Sequence, residues 1–161
     1  MKQKTLLISL ATLFLFAISF HFVFAGTATV SWNANTEPDL SGYMVYYGTS
    51  QRTGTDPKTC NLCGYSTSVD VQNVTTYALS NLTSGRNYYF SVSAYDTSKN
   101  KSLFSSEVCK FVGYVNSDFA SLAPNWLQSG TGLAGDVDNN GTVNGQDLGI
   151  MMSKWGNKDC S

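Results

Sequence analysis

Histidine is almost missing from this sequence: its 161 residues include one, His21. That residue lies in the N-terminal apolar stretch, so the rest of the chain has no imidazole for a general base, a proton shuttle or a nitrogen metal ligand. Most familiar catalytic constellations are thereby excluded. Basic charge is also short. Ten Lys and Arg stand against eleven Asp and Glu, and without Lys2 and Lys4 the balance moves further to the acidic side, so no nucleic-acid partner is implied. Paired carboxylates are lacking too: Glu37, Asp39, Asp56, Asp70, Asp96 and Glu107 scatter over turns and strand ends, where no two share an evident pocket.

What is present begins with Met1 to Ala25. Lys2 and Lys4 precede an apolar block from Leu6 to Phe20, and Val23-Phe24-Ala25 closes it with small residues around a large one. The pattern predicts a signal peptide over 1–25, or an uncleaved anchor, because Leu6 to Ala25 is about long enough to span a bilayer. Either way the remainder faces outward. With the signal removed, no membrane span is expected.

From Thr27 to Val112 apolar residues recur at every second position in short runs separated by turn chemistry, the mark of a β-sandwich or barrel. Val30 and Trp32 alternate inward on one run, and Tyr43, Val45 and Tyr47 on the next, which Gly48-Thr49-Ser50 stops. Tyr77, Leu79 and Leu82 line a third, and Tyr88, Phe90, Val92 and Ala94 a fourth, with a last strand near Ser106 to Phe111. The same alternation sends Tyr46, Tyr89 and Tyr95 to the outer faces, as cross-strand pairs on a solvated sheet or as rings that stack on sugar. Val30-Ser31-Trp32, Asp39-Leu40-Ser41-Gly42-Tyr43, Tyr46-Tyr47-Gly48-Thr49-Ser50 and Leu82 to Tyr95 resemble the fibronectin type III domains of secreted bacterial proteins. The resemblance implies a mainly β, immunoglobulin-like sandwich over 26–112. It makes Trp32 a core residue and Tyr88 the tyrosine whose hydroxyl bonds nearby backbone. Gly26 alone would precede Thr27 after cleavage, so the sandwich is expected to lack its first strand and expose an edge.

The strongest chemical motif runs from Asp136 to Asp147 as DVDNNGTVNGQD. A calcium ion takes several hard oxygens, and places one, three, five, seven and twelve of such a loop supply them if a glycine at six permits the sharp turn. Asp136, Asp138, Asn140, the Thr142 carbonyl and Asp147 fill those places, Asn144 fits a water-mediated one, and Gly141 is the glycine. One calcium ion is expected. No entering helix fits Gln128 to Gly135, which is too rich in glycine. An exiting helix does, with Leu148, Met151, Met152 and Trp155 on one stripe. Asp118 to Trp126 repeats Asp147 to Trp155 in polarity and spacing, which predicts a second short helix with Phe119, Leu122, Ala123 and Trp126 on its stripe and Pro124 kinking or shortening it. Two such helices are expected to pack face to face and bury Trp126 and Trp155; the rival is a tryptophan pair presented to sugar.

Tandem loop-helix halves without entering helices resemble the dockerin family, over Val115 to Gly156 and within a module placed at 113–161. The first half has no residues for a calcium site. The resemblance implies docking to a cohesin-like or other cell-surface protein in polysaccharide-degrading systems, although Gly145 and Gln146 stand where a hydroxyl pair would help select a cohesin. Four cysteines in an exported chain read as disulfides, with three connectivities open. Cys109 and Cys160 bracket the helical module, whose helices would bring its ends together, so Cys109–Cys160 is expected as a clasp and Cys60–Cys63 as a small loop. For Cys60-Asn61-Leu62-Cys63 a redox pair, a haem attachment and half a zinc site are the alternatives. The chain thus reads as a non-enzymatic, secreted or cell-surface interaction protein. The alternatives are a carbohydrate-binding accessory protein and a fragment of a secreted glycoside hydrolase.

Overall fold

The computed structural model describes residues 25–156 and 158–160. The signal-peptide and missing-strand expectations concern residues that lie, apart from Ala25, outside that range. Ala25 itself opens the first strand, β1 (Ala25–Ser31), and pairs with Thr83. There follow β2 (Leu40–Gly48), β3 (Thr67–Gln72), β4 (Thr76–Thr83), β5 (Arg86–Asp96), β6 (Val108–Val112), the helices α1 (Asn116–Leu122) and α2 (Gly145–Ser153), and a short β7 (Lys158–Asp159). Two antiparallel sheets form: β1 with β4, and β3-β2-β5-β6-β7.

Their facing sides make the core. Ala28, Val30, Leu79 and Leu82 from the small sheet meet Tyr43, Val45, Phe90, Val92 and Val112 from the large one. Leu79 and Leu82 are three apart, yet both point inward. The ladder slips by one residue between Gly26 and Ala28, and Asn81 adopts φ 60°, so a bulge resets the alternation. Trp32 packs at the rim, edge-on to Tyr43 at 5.4 Å between centroids. The Tyr88 hydroxyl accepts the Thr83 N–H at 3.0 Å, tying β5 back to the end of β4.

The large sheet is covered on its second face as well, which corrects the expectation of outward tyrosines. Tyr46 is 2% exposed and Tyr95 5%; Tyr89 is half-buried. The long β2–β3 connection folds over that face, bringing Tyr65 into contact with Tyr46, while Phe104 meets both rings edge-on. Arg52 and Glu107 anchor the cover. The Arg52 N–H donates to Glu107, its guanidinium donates to Ser91 and to the Ser105 carbonyl, and the Tyr65 hydroxyl joins Ser91 and Glu107 at 2.7 Å each. Burial, with the Glu107 carboxylate beside it, pushes the Tyr65 hydroxyl well above its usual range. Cys60 and Cys63 are joined by a disulfide within the connection.

The helical unit is pinned to the sandwich at its far end. Cys109 on β6 is bonded to Cys160, β7 adds to the edge of β6, and the Tyr114 N–H and carbonyl bond the Lys154 carbonyl and Gly156 N–H at 3.0 and 2.8 Å. No helix among the described residues is long and apolar enough to cross a membrane.

Candidate metal centre

The segment from Asp136 to Asp147 closes on itself through its own side chains. Asp136 accepts the N–H groups of Asn140 and Gly141 at 3.1 and 2.9 Å, one on each carboxylate oxygen. Gly141 sits at φ 85°, where a side chain would be strained. Asp147 is fully buried at the start of α2. Its Oδ1 accepts from Val137 and Asp138 at 2.8 and 3.3 Å, and its Oδ2 accepts from Asn144 at 2.9 Å. The Asn144 side chain accepts the Gln146 N–H at 2.7 Å, and Asn144 and Asp147 together form a capping box.

These contacts bring Asp136, Asp138 and Asp147 together, with an oxygen of each within 4.8 Å of the others. Among the described residues no Lys or Arg lies within salt-bridge distance of the trio; the one such ion pair is Lys58 with Asp56. Three carboxylates so close repel one another unless a cation offsets them. The donors are all oxygen, the kind hard cations accept, so the residues fit such an ion. Asn140 and Thr142, the other two expected ligands, lie in the same turn. The Asn140 side chain accepts from the Thr142 N–H and donates to Asp138, and the Thr142 carbonyl accepts from Asn144 at 3.4 Å.

No helix precedes this loop. The chain from Leu127 to Gly130 instead runs antiparallel to Gly141–Val143, with backbone bonds Leu127 to Val143, Val143 to Gln128 and Gly130 to Gly141. Val143 is thereby fully buried and joins Tyr114, Leu122 and Met151 in a second small core.

The upstream half repeats the cap without the loop. Asp118 is buried, and its Oδ2 accepts the Val115 N–H at 2.7 Å, as Asp147 does from Asn144. Its Oδ1 has no partner among the described residues, because the residues ahead of it are committed to β6. The tryptophans depart from expectation. Trp126 is 41% and Trp155 44% exposed, so neither is a core residue. α1 ends at Leu122 and Pro124 stands in a following 3-10 turn, which carries Trp126 beyond the helix. α2 ends at Ser153, so Trp155 leaves the stripe and packs one edge on Phe119 at 4.7 Å between centroids, while Met152 also faces outward.

The Fibronectin type III domain family model matches residues 17–108, and the chain belongs to that family. The match begins at Ala17, inside the apolar block read as a leader. Among solved structures the chain is similar to the crystal structure of chicken CNTN1 FN1-FN3 domains, at 24% identity and a TM-score of 0.41. That alignment covers 52% of this chain and 26% of the other, so the chain spans about a quarter of the length of that three-domain chain. No curated protein matches the sequence. A fibronectin type III domain points to a non-catalytic interaction or spacer role, and with disulfides it resembles extracellular domains.

Proposed function

We propose that this is a secreted bacterial interaction protein in which the sandwich serves as a spacer or adhesive unit and the C-terminal helical unit, placed at 113–161, is a calcium-stabilised, dockerin-like docking module. The observation that carries the reading is the convergence of Asp136, Asp138 and Asp147 without a basic partner among the described residues. One Ca²⁺ would draw on those carboxylates, Asn140 and the Thr142 carbonyl, with Asn144 through water, and would offset most of their charge. The partner is a cohesin-like or other cell-surface protein in a polysaccharide-degrading system. Calorimetric titration tests it: one calcium site in the intact protein and none in Asp136→Ala supports the reading, and a flat titration of the intact protein removes it.

A second reading, a carbohydrate-binding accessory protein, is favoured by the open rings of Trp126 and Trp155. The burial of Tyr46 and Tyr95 takes away its original basis on the sandwich. Co-sedimentation with insoluble polysaccharides tests it: retention that Trp155→Ala abolishes supports it, and a protein that stays in the supernatant counts against it.

A further inference from the structure

The sandwich is open along one side. β1 has β4 as its one neighbour among the described residues. The Trp32 N–H donates to the Thr75 carbonyl at 3.0 Å, and the same register pairs Val30 with Tyr77 and Ala28 with Leu79. Antiparallel partners bond at every second residue, so the backbone N–H and C=O groups of Thr29 and Ser31 face away from β4, toward a free edge. The large sheet is bare beneath that edge. Gly26 of β1 rests on Val112 of β6, which is fully buried. Val108 lies on the same inward face of β6, directly across from the core residue Phe90, yet it is 54% exposed. Leu103, 59% exposed, lines a cleft of about 310 Å³ with Trp32, Tyr43 and Val92. An open edge above uncovered apolar side chains leaves room for one more strand.

The chain that leads into β1 has the pattern such a strand requires. Ile18-Ser19-Phe20-His21-Phe22 alternates apolar and polar residues, it joins Ala25 through Val23 and Phe24, and the family match begins at Ala17. We propose that Ile18 to Phe22 stays in the folded protein and fills the open side as an antiparallel strand on β1. Residues opposite each other share a face. Ile18, Phe20 and Phe22 therefore turn inward with Ala28 and Val30, over Leu103 and Val108, while Ser19 and His21 turn outward with Thr29 and Ser31. A connection of a few residues around Phe24 reverses the chain, a common length for a hairpin. Leader removal then falls after Ala17 and not after Ala25: Lys2 and Lys4, the apolar run from Leu6 to Phe16 and the small Ala17 satisfy the same pattern. A cut after Ala25 would take the strand away. The strand does not depend on the calcium reading above.

The test expresses the full chain in a bacterial host and purifies the exported protein. Intact-mass spectrometry should find an N-terminus at Ile18; any other start overturns the cut after Ala17, and a start at Gly26 removes the strand with it. Amide hydrogen exchange followed by NMR then reads the edge. Ala28 and Val30 bond β4 whether or not the side is filled, so they serve as the internal standard. With the strand in place, Thr29 and Ser31 should exchange within about tenfold of that standard, in a protein that light scattering shows to be a monomer. Exchange at Thr29 and Ser31 faster than that means an open edge and overturns the proposal. Protection found only in a dimer overturns it too, because a second copy is then the occupant. Phe20→Asp, at an inward position, should release the protection of Thr29 and Ser31, and His21→Gln, at an outward one, should keep it. If Phe20→Asp is not exported, the mass and exchange pattern of the unaltered protein still decide.

Discussion

Asp118 and Asp147 occupy equivalent places in the two halves of the helical unit, and the structure assigns them different energies. Each is buried and caps its helix through Oδ2. Asp147 additionally holds the Val137 and Asp138 N–H groups, whereas the Oδ1 of Asp118 is unpartnered among the described residues. A hydrogen bond to a charged group contributes about 1.5–3 kcal/mol, and such contributions in one cluster fall short of additivity. In chelator, Asp147→Ala should therefore cost on the order of 3–5 kcal/mol. Asp118→Ala loses one bond but also removes an unsatisfied oxygen from the interior, so its cost should be about 1 kcal/mol. Urea unfolding followed by tryptophan fluorescence measures both, since Trp126 and Trp155 report on the helical unit. Equal costs for the two variants would refute the reasoning, because the difference rests on partners alone.

Replacing Cys109 and Cys160 together by Ser should lower stability by about 4 kcal/mol on a chain-entropy estimate for a loop of that length, against about 2 kcal/mol for the Cys60–Cys63 pair; denaturant midpoints of the two double variants test the order. Tyr88→Phe leaves the Thr83 N–H without its acceptor and should cost about 1–2 kcal/mol in urea unfolding. Gly113→Ala would drive a Cβ into the Gly156 carbonyl, so the returning tail should detach; proteolysis after Gly156 should speed up, and an unchanged rate would count against the packing. The Tyr65 hydroxyl is raised by burial, so its folded pKa lies above its unfolded value near ~10. Its stabilising contribution is then whole below about pH 10 and fades as pH climbs further; unfolding midpoints across that range should be flat and then fall, and Tyr65→Phe should remove that part of the decline.

Much of the sandwich was legible because burial on one face leaves a period-two trace. Val30, Tyr43, Val45, Phe90 and Val92 all follow it. The trace failed where a sheet is covered twice. Tyr46 read as outward because a loop of mixed composition, from Thr49 to Ser66, gives no periodic sign that it will fold over the sheet, and Tyr95 because nothing local announces that Asp70 and Lys99 will cover its ring. The bulge at Asn81 was likewise invisible, although pairing Leu79 with Leu82 in one inward run already departed from strict alternation. In the helical unit, the spacing of Asp136, Asp138 and Asp147 identified which carboxylates meet, since a short loop with a glycine turn leaves them little choice. Trp126 and Trp155 misled for a different reason: stripe arithmetic assumes that a helix continues, and both residues lie past the ends of theirs.

The central claim is that the carboxylate trio holds a cation on which the helical unit depends. Thermal unfolding of the whole protein in millimolar calcium and in chelator, followed by tryptophan fluorescence, tests it most directly. The account predicts that calcium raises the transition reported by Trp126 and Trp155 and that Asp136→Ala loses the shift. Superimposable curves in the two conditions would contradict it.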